Sequence, residues 1–161
     1  MHVIVDTNVP IVANGHSNQA SPHCVIICVE KLREIQQQHI LVLDKDWLII
    51  KEYMKNLSSK GQPGVGDAFL KWILTNQLNS NRCQLVQITP TNNGSFQEFP
   101  QDAALSGFDL SDRKFVVVAL AHPDKPPILN AVDSDWRNFE AALASCGVRV
   151  EFLCPELKPR P

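Results

Sequence analysis

His2-Val3-Ile4-Val5-Asp6-Thr7-Asn8, residues 2–8, runs a β-branched apolar segment straight into an acid and an amide. Val and Ile pack well on a pleated surface, so the run predicts a strand with Asp6 at its carboxyl end. The same pattern recurs at residues 128–135, where Ile128-Leu129-Asn130-Ala131-Val132 leads into Asp133-Ser134-Asp135. Further apolar runs at residues 40–43, 83–89 and 148–153 bring the expected strands to five. Segments of helical period separate them, which is the sequence form of an α/β fold, a parallel sheet between two helical layers.

Working outward from these strands, Ser21 is the expected cap of a helix that opens on Pro22 and carries Cys24, Cys28, Leu32 and Ile35 as its apolar stripe. Asp46 is expected to cap a second helix through residue 57, and Asp67 a third through residue 78, with the Gly- and Pro-rich segment 58–66 as the turn between them. A fourth helix is expected over 110–121 behind Asp109, and a fifth over 135–146 ended by Gly147. Residues 90–108 are polar, rich in Asn, Pro and Gly, and too long for a plain connection, so they read as a partly ordered excursion. No internal repeat is visible, and the chain reads as one domain over 1–155 with a tail at 156–161.

A chain of 161 residues can bury about 70% of its unfolded surface in one core. Its 44% hydrophobic and 20% charged content is that of a folded globular protein rather than a disordered one. A net charge of −2 argues against a generally basic nucleic-acid binder. It leaves room for a local basic rim from Lys45, Lys51, Arg113, Lys114, Lys125 and Arg137. The longest apolar run, 115–121, is far below the roughly 18 residues of a membrane span, and residues 1–5 have no signal-peptide pattern. The expectation is a cytoplasmic protein. The five cysteines, odd in number and without a C-x-x-C pair, read as buried thiols.

Asp6 and Asp133 both end strands, the edge where open α/β sheets bind ligands. If the first and fourth strands are neighbours, the two carboxylates face one crevice, and Asp112 joins them from the start of the fourth helix. Glu52, between apolar neighbours, needs a counter-charge. Acids gathered this way repel one another unless a cation neutralises them. Oxygen ligands without His or Cys favour Mg²⁺ or Mn²⁺ over zinc. Such an ion activates water for attack on a phosphodiester without any nucleophilic side chain. The G-x-S-x-G, G-x-x-x-x-G-K-[ST] and G-x-G-x-x-G motifs of other catalytic designs are absent.

With Val3-Ile4-Val5-Asp6-Thr7-Asn8, Glu52-Tyr53, Asp112-Arg113-Lys114-Phe115 and Asp133-Ser134-Asp135 in place, the chain resembles the PIN-domain family of metal-dependent ribonucleases along essentially its whole length. The resemblance implies a five-stranded parallel sheet in the order 3-2-1-4-5 and endonucleolytic cleavage of single-stranded RNA with Mg²⁺ or Mn²⁺. It implies metal ligation by Asp6, Glu52, Asp112 and Asp133, with Asp135 as a further ligand or supporting carboxylate. Asn8 would orient Asp6, while Arg113, Lys114 and Trp136 would meet the substrate. Many small PIN proteins are the toxin of a toxin–antitoxin pair and many dimerise, so an antitoxin-like partner and a homodimer are further implications. Ala131 stands where many members carry Thr or Ser. That departure supports the alternative of a catalytically degenerate PIN domain that binds RNA or protein. A phosphoaspartate phosphatase would need a carboxylate where the chain has Asn8.

Overall fold

The computed structural model describes residues 1–154, so the expected tail and residue 155 lie outside the described residues. Strands β1 (His2–Val5), β2 (Ile40–Asp44), β3 (Cys83–Val86), β4 (Ile128–Asn130) and β5 (Val150–Phe152) form one parallel sheet in the order β3-β2-β1-β4-β5. This is the α/β architecture and strand order expected. Register sets His2 against Ile40 on one side of β1 and Ile4 against Ile128 on the other. The chain adds strands on one side of β1, then crosses to the other with β4. The reversal places the carboxyl ends of β1 and β4 side by side at the switch point.

The helices are α1 (Asn8–Ala13), α2 (Pro22–Gln38), α3 (Leu48–Asn56), α4 (Val65–Asn76), α5 (Arg113–Ala121), α6 (Ser134–Asn138) and α7 (Glu140–Ser145). Ser21 caps α2 as its sequence predicts, its Oγ accepting the Cys24 amide at 3.1 Å, and Cys24, Cys28, Leu32 and Ile35 form the buried stripe. Helix α1 was not legible in the apolar pattern. Its start is fixed by Asp6, whose Oδ2 accepts the Asn8 amide at 3.0 Å.

Two expected caps move. Helix α3 begins at Leu48, and the capping carboxylate is Asp44 at the end of β2, not Asp46; Asp44 accepts the Leu48 and Ile49 amides at 2.8 and 2.9 Å. Trp47, between them, takes φ 66° to make the tight entry. Helix α4 begins at Val65, so Asp67 lies inside its first turn and reaches back to the Gly64 amide at 2.9 Å. Asp67 also accepts the Ser58 amide at 2.7 Å and the Asn14 side-chain amide at 3.0 Å, while Asn14 Oδ1 accepts the Asp67 amide at 3.1 Å. This interlock seats α4 on α1. Gly66 permits the approach, since a Cβ there would lie 2.1 Å from the Pro10 carbonyl oxygen.

Two expected helices are subdivided. Residues 110–112 form a 3-10 turn before α5, with Asp109 capping that turn through the Ser111 amide at 2.8 Å. The expected helix 135–146 breaks at Phe139 into α6 and α7, with Gly147 at φ 86° after the second. The cysteines also differ from expectation. Cys24 on α2 and Cys154 beyond β5 form a disulfide, with Cα atoms 5.4 Å apart. Periodicity placed both inside the core but could not bring together residues 130 apart in sequence. Among the described residues, no helix is long and apolar enough to cross a membrane.

Candidate metal and phosphate cleft

The edge between β1 and β4 is laced by hydrogen bonds that position the first acid. The Asp6 amide donates to the Leu129 carbonyl at 3.0 Å, and the Ala131 amide donates to Asn8 Oδ1 at 2.9 Å. Asn8 therefore orients Asp6 through its backbone amide, while its side chain ties β1 to β4. Asp6 is 4% exposed. One of its oxygens caps α1; the other, Oδ1, is buried with no hydrogen-bond partner among the described residues. A bare buried carboxylate oxygen is costly unless a cation meets it.

Asp6, Glu52 and Asp112 line one cleft of about 690 Å³. Burial, then the charges of Asp112, Glu52 and Asp133, hold the Asp6 carboxyl well above the ordinary carboxylate range. Burial, then Asp133, Asp109 and Glu52, push Asp112 up to about 7, against an opposing pull from Lys114. Burial and then Asp135 and Asp109 raise Asp133. Asp133 lies outside the cleft lining but close enough for Asp6 and Asp112 to feel its charge. Its Oδ1 caps α6 by accepting the Asp135 amide at 2.9 Å. Asp135 is exposed and also outside the lining.

Glu52 finds its counter-charge within the protein. Lys114 Nζ donates to Glu52 Oε1 at 2.6 Å, and the Thr7 hydroxyl donates to Oε2. The counter-charge of Glu52 is thus Lys114 and not the metal expected to supply it, and Lys114 spends its charge on Glu52 and on the Ser111 carbonyl. Next to Glu52, the buried Tyr53 hydroxyl donates to the Val5 carbonyl, so α3 is pinned to the residue before Asp6.

Like Lys114, the other two expected substrate contacts are taken up elsewhere. Trp136 is 0% exposed and meets Phe108 edge-on at 5.0 Å, so no base can stack on it. Arg113 turns away from the acids and clamps the 90–108 segment. It donates to the Phe108 and Ser106 carbonyls and to Ser95 Oγ at 3.0–3.1 Å and lies 4.3 Å over the Phe99 ring. Lys51 and Lys55, four residues apart on α3, supply the free positive charge of the cleft lining. Lys51 was among the expected rim residues; Lys55 was not, although its i, i+4 spacing was visible. Lys45, Lys125 and Arg137 are not in the lining.

The donor set fits Mg²⁺ or Mn²⁺ in one form. Magnesium is commonly held by one or two carboxylates and keeps several waters. Asp6, with its bare Oδ1, and Asp112 can serve as those carboxylates, with Asp133 acting through water and Glu52 already engaged. Among the described residues, no three of these acids bring ligand atoms within 4.8 Å of one another. Two other groups do, Cys24 with Cys28 and Cys154, and His2 with His122 and Asp124. The first contains the disulfide. In the second, His122 accepts the Asp124 amide at 3.1 Å and pairs with Gln84 at 2.8 Å, which leaves its ring no lone pair for a metal.

No protein-family model, curated protein or solved structure matches the chain.

Proposed function

We propose that the chain is a Mg²⁺- or Mn²⁺-dependent endoribonuclease of the PIN type that hydrolyses single-stranded RNA. The observation that carries this reading is the buried, unpartnered Oδ1 of Asp6 at the switch point, facing the charges of Asp112, Glu52 and Asp133. A scaffold gains nothing from such repulsion, whereas a cation site needs it. The bound ion would supply an activated water and neutralise the phosphate. Asp6 and Asp112 would hold the ion, and Lys51 and Lys55 would draw the phosphate backbone into the cleft. Lys114 would keep Glu52 in place through their ion pair.

A second reading, a PIN-like module that binds RNA or a protein without cutting, draws support from the same pair. With Lys114 on Glu52, one acid is already neutralised without a metal. The two readings separate in one assay: cleavage of a fluorescent single-stranded RNA in Mn²⁺ by the wild type, by Asp6→Asn and by the wild type in EDTA. The nuclease reading requires cleavage that both controls lose by at least about 100-fold. A folded, Mn²⁺-binding wild type that leaves RNA intact moves the assignment to the binding module.

A further inference from the structure

Residues 87–109 build a second cavity beside the acidic cleft. The segment folds back on itself, with an antiparallel bridge between Pro90 and Phe96, the Gln97 amide on the Thr89 carbonyl at 2.9 Å and the Thr91 amide on the Ser95 carbonyl at 2.9 Å. Glu98 accepts the Thr89 amide at 3.1 Å, and Phe99 stacks on Phe108 at 6.1 Å. The Arg113 clamp then fixes this segment to the start of α5, one residue from Asp112. The result is a preformed cavity of about 900 Å³. Phe96 lines it on one side and the acidic cleft on the other.

The lining defines the ligand. It contains no lysine, and the guanidinium of Arg113, its single basic group, is already spent on three oxygen acceptors and the Phe99 ring. A phosphate or carboxylate would find no available cation. The one acid, Asp102, has an oxygen on the Ala104 amide at 2.9 Å and the other beside the Cys146 thiol, and it repels an anion further. The rest of the polar lining is neutral: the side-chain amides of Asn92, Gln97 and Gln101 make no hydrogen bond among the described residues, and Asn93 keeps its NH₂ group free while its Oδ1 accepts from Thr91. Carboxamides match the donor and acceptor edges of heterocyclic bases, and an aromatic face supplies stacking.

We propose that this cavity is a nucleobase subsite, which seats a base of the strand whose phosphate occupies the neighbouring cleft, with Phe96 as the shared wall. The proposal rests on the nucleic-acid reading of the acidic cleft and goes beyond it by placing base selection in the 91–106 segment. Arg113 is then a positioning residue that keeps the base seat in fixed register with Asp112.

The test is a titration of the protein in EDTA, followed by NMR or calorimetry, with the four nucleoside 5′-monophosphates and with ribose 5-phosphate. At least one nucleotide binds tenfold or more tightly than ribose 5-phosphate, and Asp6→Asn retains that binding. The double variant Gln97→Ala/Gln101→Ala changes only exposed side chains, so it keeps its fold and loses tenfold or more of the affinity. Phe96→Ala weakens all four nucleotides together. Equal binding of ribose 5-phosphate, or an unchanged double variant, overturns the subsite. Metal-dependent RNA cleavage without nucleotide binding in EDTA overturns the subsite while leaving the nuclease. Nucleotide binding without cleavage keeps the subsite and refutes the nuclease.

Discussion

Replacing Asp112 by asparagine should make the metal-free protein more stable. Burial and the surrounding acids push this carboxyl from an ordinary 3.8 up to about 7. At about 1.4 kcal/mol per tenfold change in proton affinity, the difference amounts to about 4 kcal/mol. The group is half-open to water, and screening brings the expected value to about 2 kcal/mol. The sign follows from proton counts. Below about pH 4 the carboxyl is protonated in both folded and unfolded chains, and the penalty is absent. Between there and about pH 7 the folded state binds the extra proton, so wild-type stability falls as pH rises. A carboxamide at this position does not titrate, and Asp112 makes no side-chain cap on α5, so the substitution removes no cap bond. Thermal melts in EDTA should therefore show Asp112→Asn above the wild type by about 4–8 °C at pH 8, with the gap closing towards pH 4. Mn²⁺ should raise the wild-type melt and leave the variant nearly unmoved. A variant that melts at or below the wild type at pH 8, or a gap that does not change with pH, would refute the claim that the cleft holds uncompensated negative charge.

Lys114→Met strands Glu52 without its cation and should cost about 1–3 kcal/mol in EDTA at pH 8, part of it regained on adding Mn²⁺; melts with and without metal read both effects. Asp67→Ala leaves the Ser58 and Gly64 amides and the Asn14 side chain without an acceptor and should cost about 2–3 kcal/mol in urea denaturation at pH 7. Although burial raises its pKa, those bonds hold the Asp67 carboxyl below its usual range, so its contribution is present above about pH 4 and is lost as pH falls through the lowered folded value. Gly66→Ala drives a methyl into the Pro10 carbonyl and should cost about 1–3 kcal/mol by the same denaturation.

What the sequence made legible follows the range of each signal. Apolar runs before Asp6 and Asp133 announce two strands within a few residues, and the sheet order sets the carboxyl ends of those strands side by side, although β4 stops at Asn130, three residues before Asp133. Ser21-Pro22 marks a helix start for the same local reason. Helix α1 was hidden because its start depends on Asp6, which the pattern assigned to the cleft alone. Asp44 was hidden because a strand's last residue rarely caps the helix beyond a turn, and Trp47 must adopt a left-handed backbone to allow it. The Lys114–Glu52 pair, the Cys24–Cys154 bridge and the Arg113 clamp join residues far apart in sequence or bend a neighbour away from its expected role. Asp112, Arg113 and Lys114 are consecutive, yet one faces the acids, one clamps a loop and one neutralises α3. Trp136 sits beside the acidic pair in sequence, but on α6 it is the buried residue and packs edge-on against Phe108.

The Cys24–Cys154 bridge turns most of the described chain into a covalent ring. The connections 57–64, 77–82 and 87–109 lie inside that ring, whereas 14–21 precedes it. A protease that nicks any of those three yields two pieces still joined through sulfur, migrating as a single species until a reductant is added. A break inside the ring is therefore invisible on a non-reducing gel and leaves the two pieces tethered for reassembly, whereas a break in the 14–21 connection releases β1 together with Asp6.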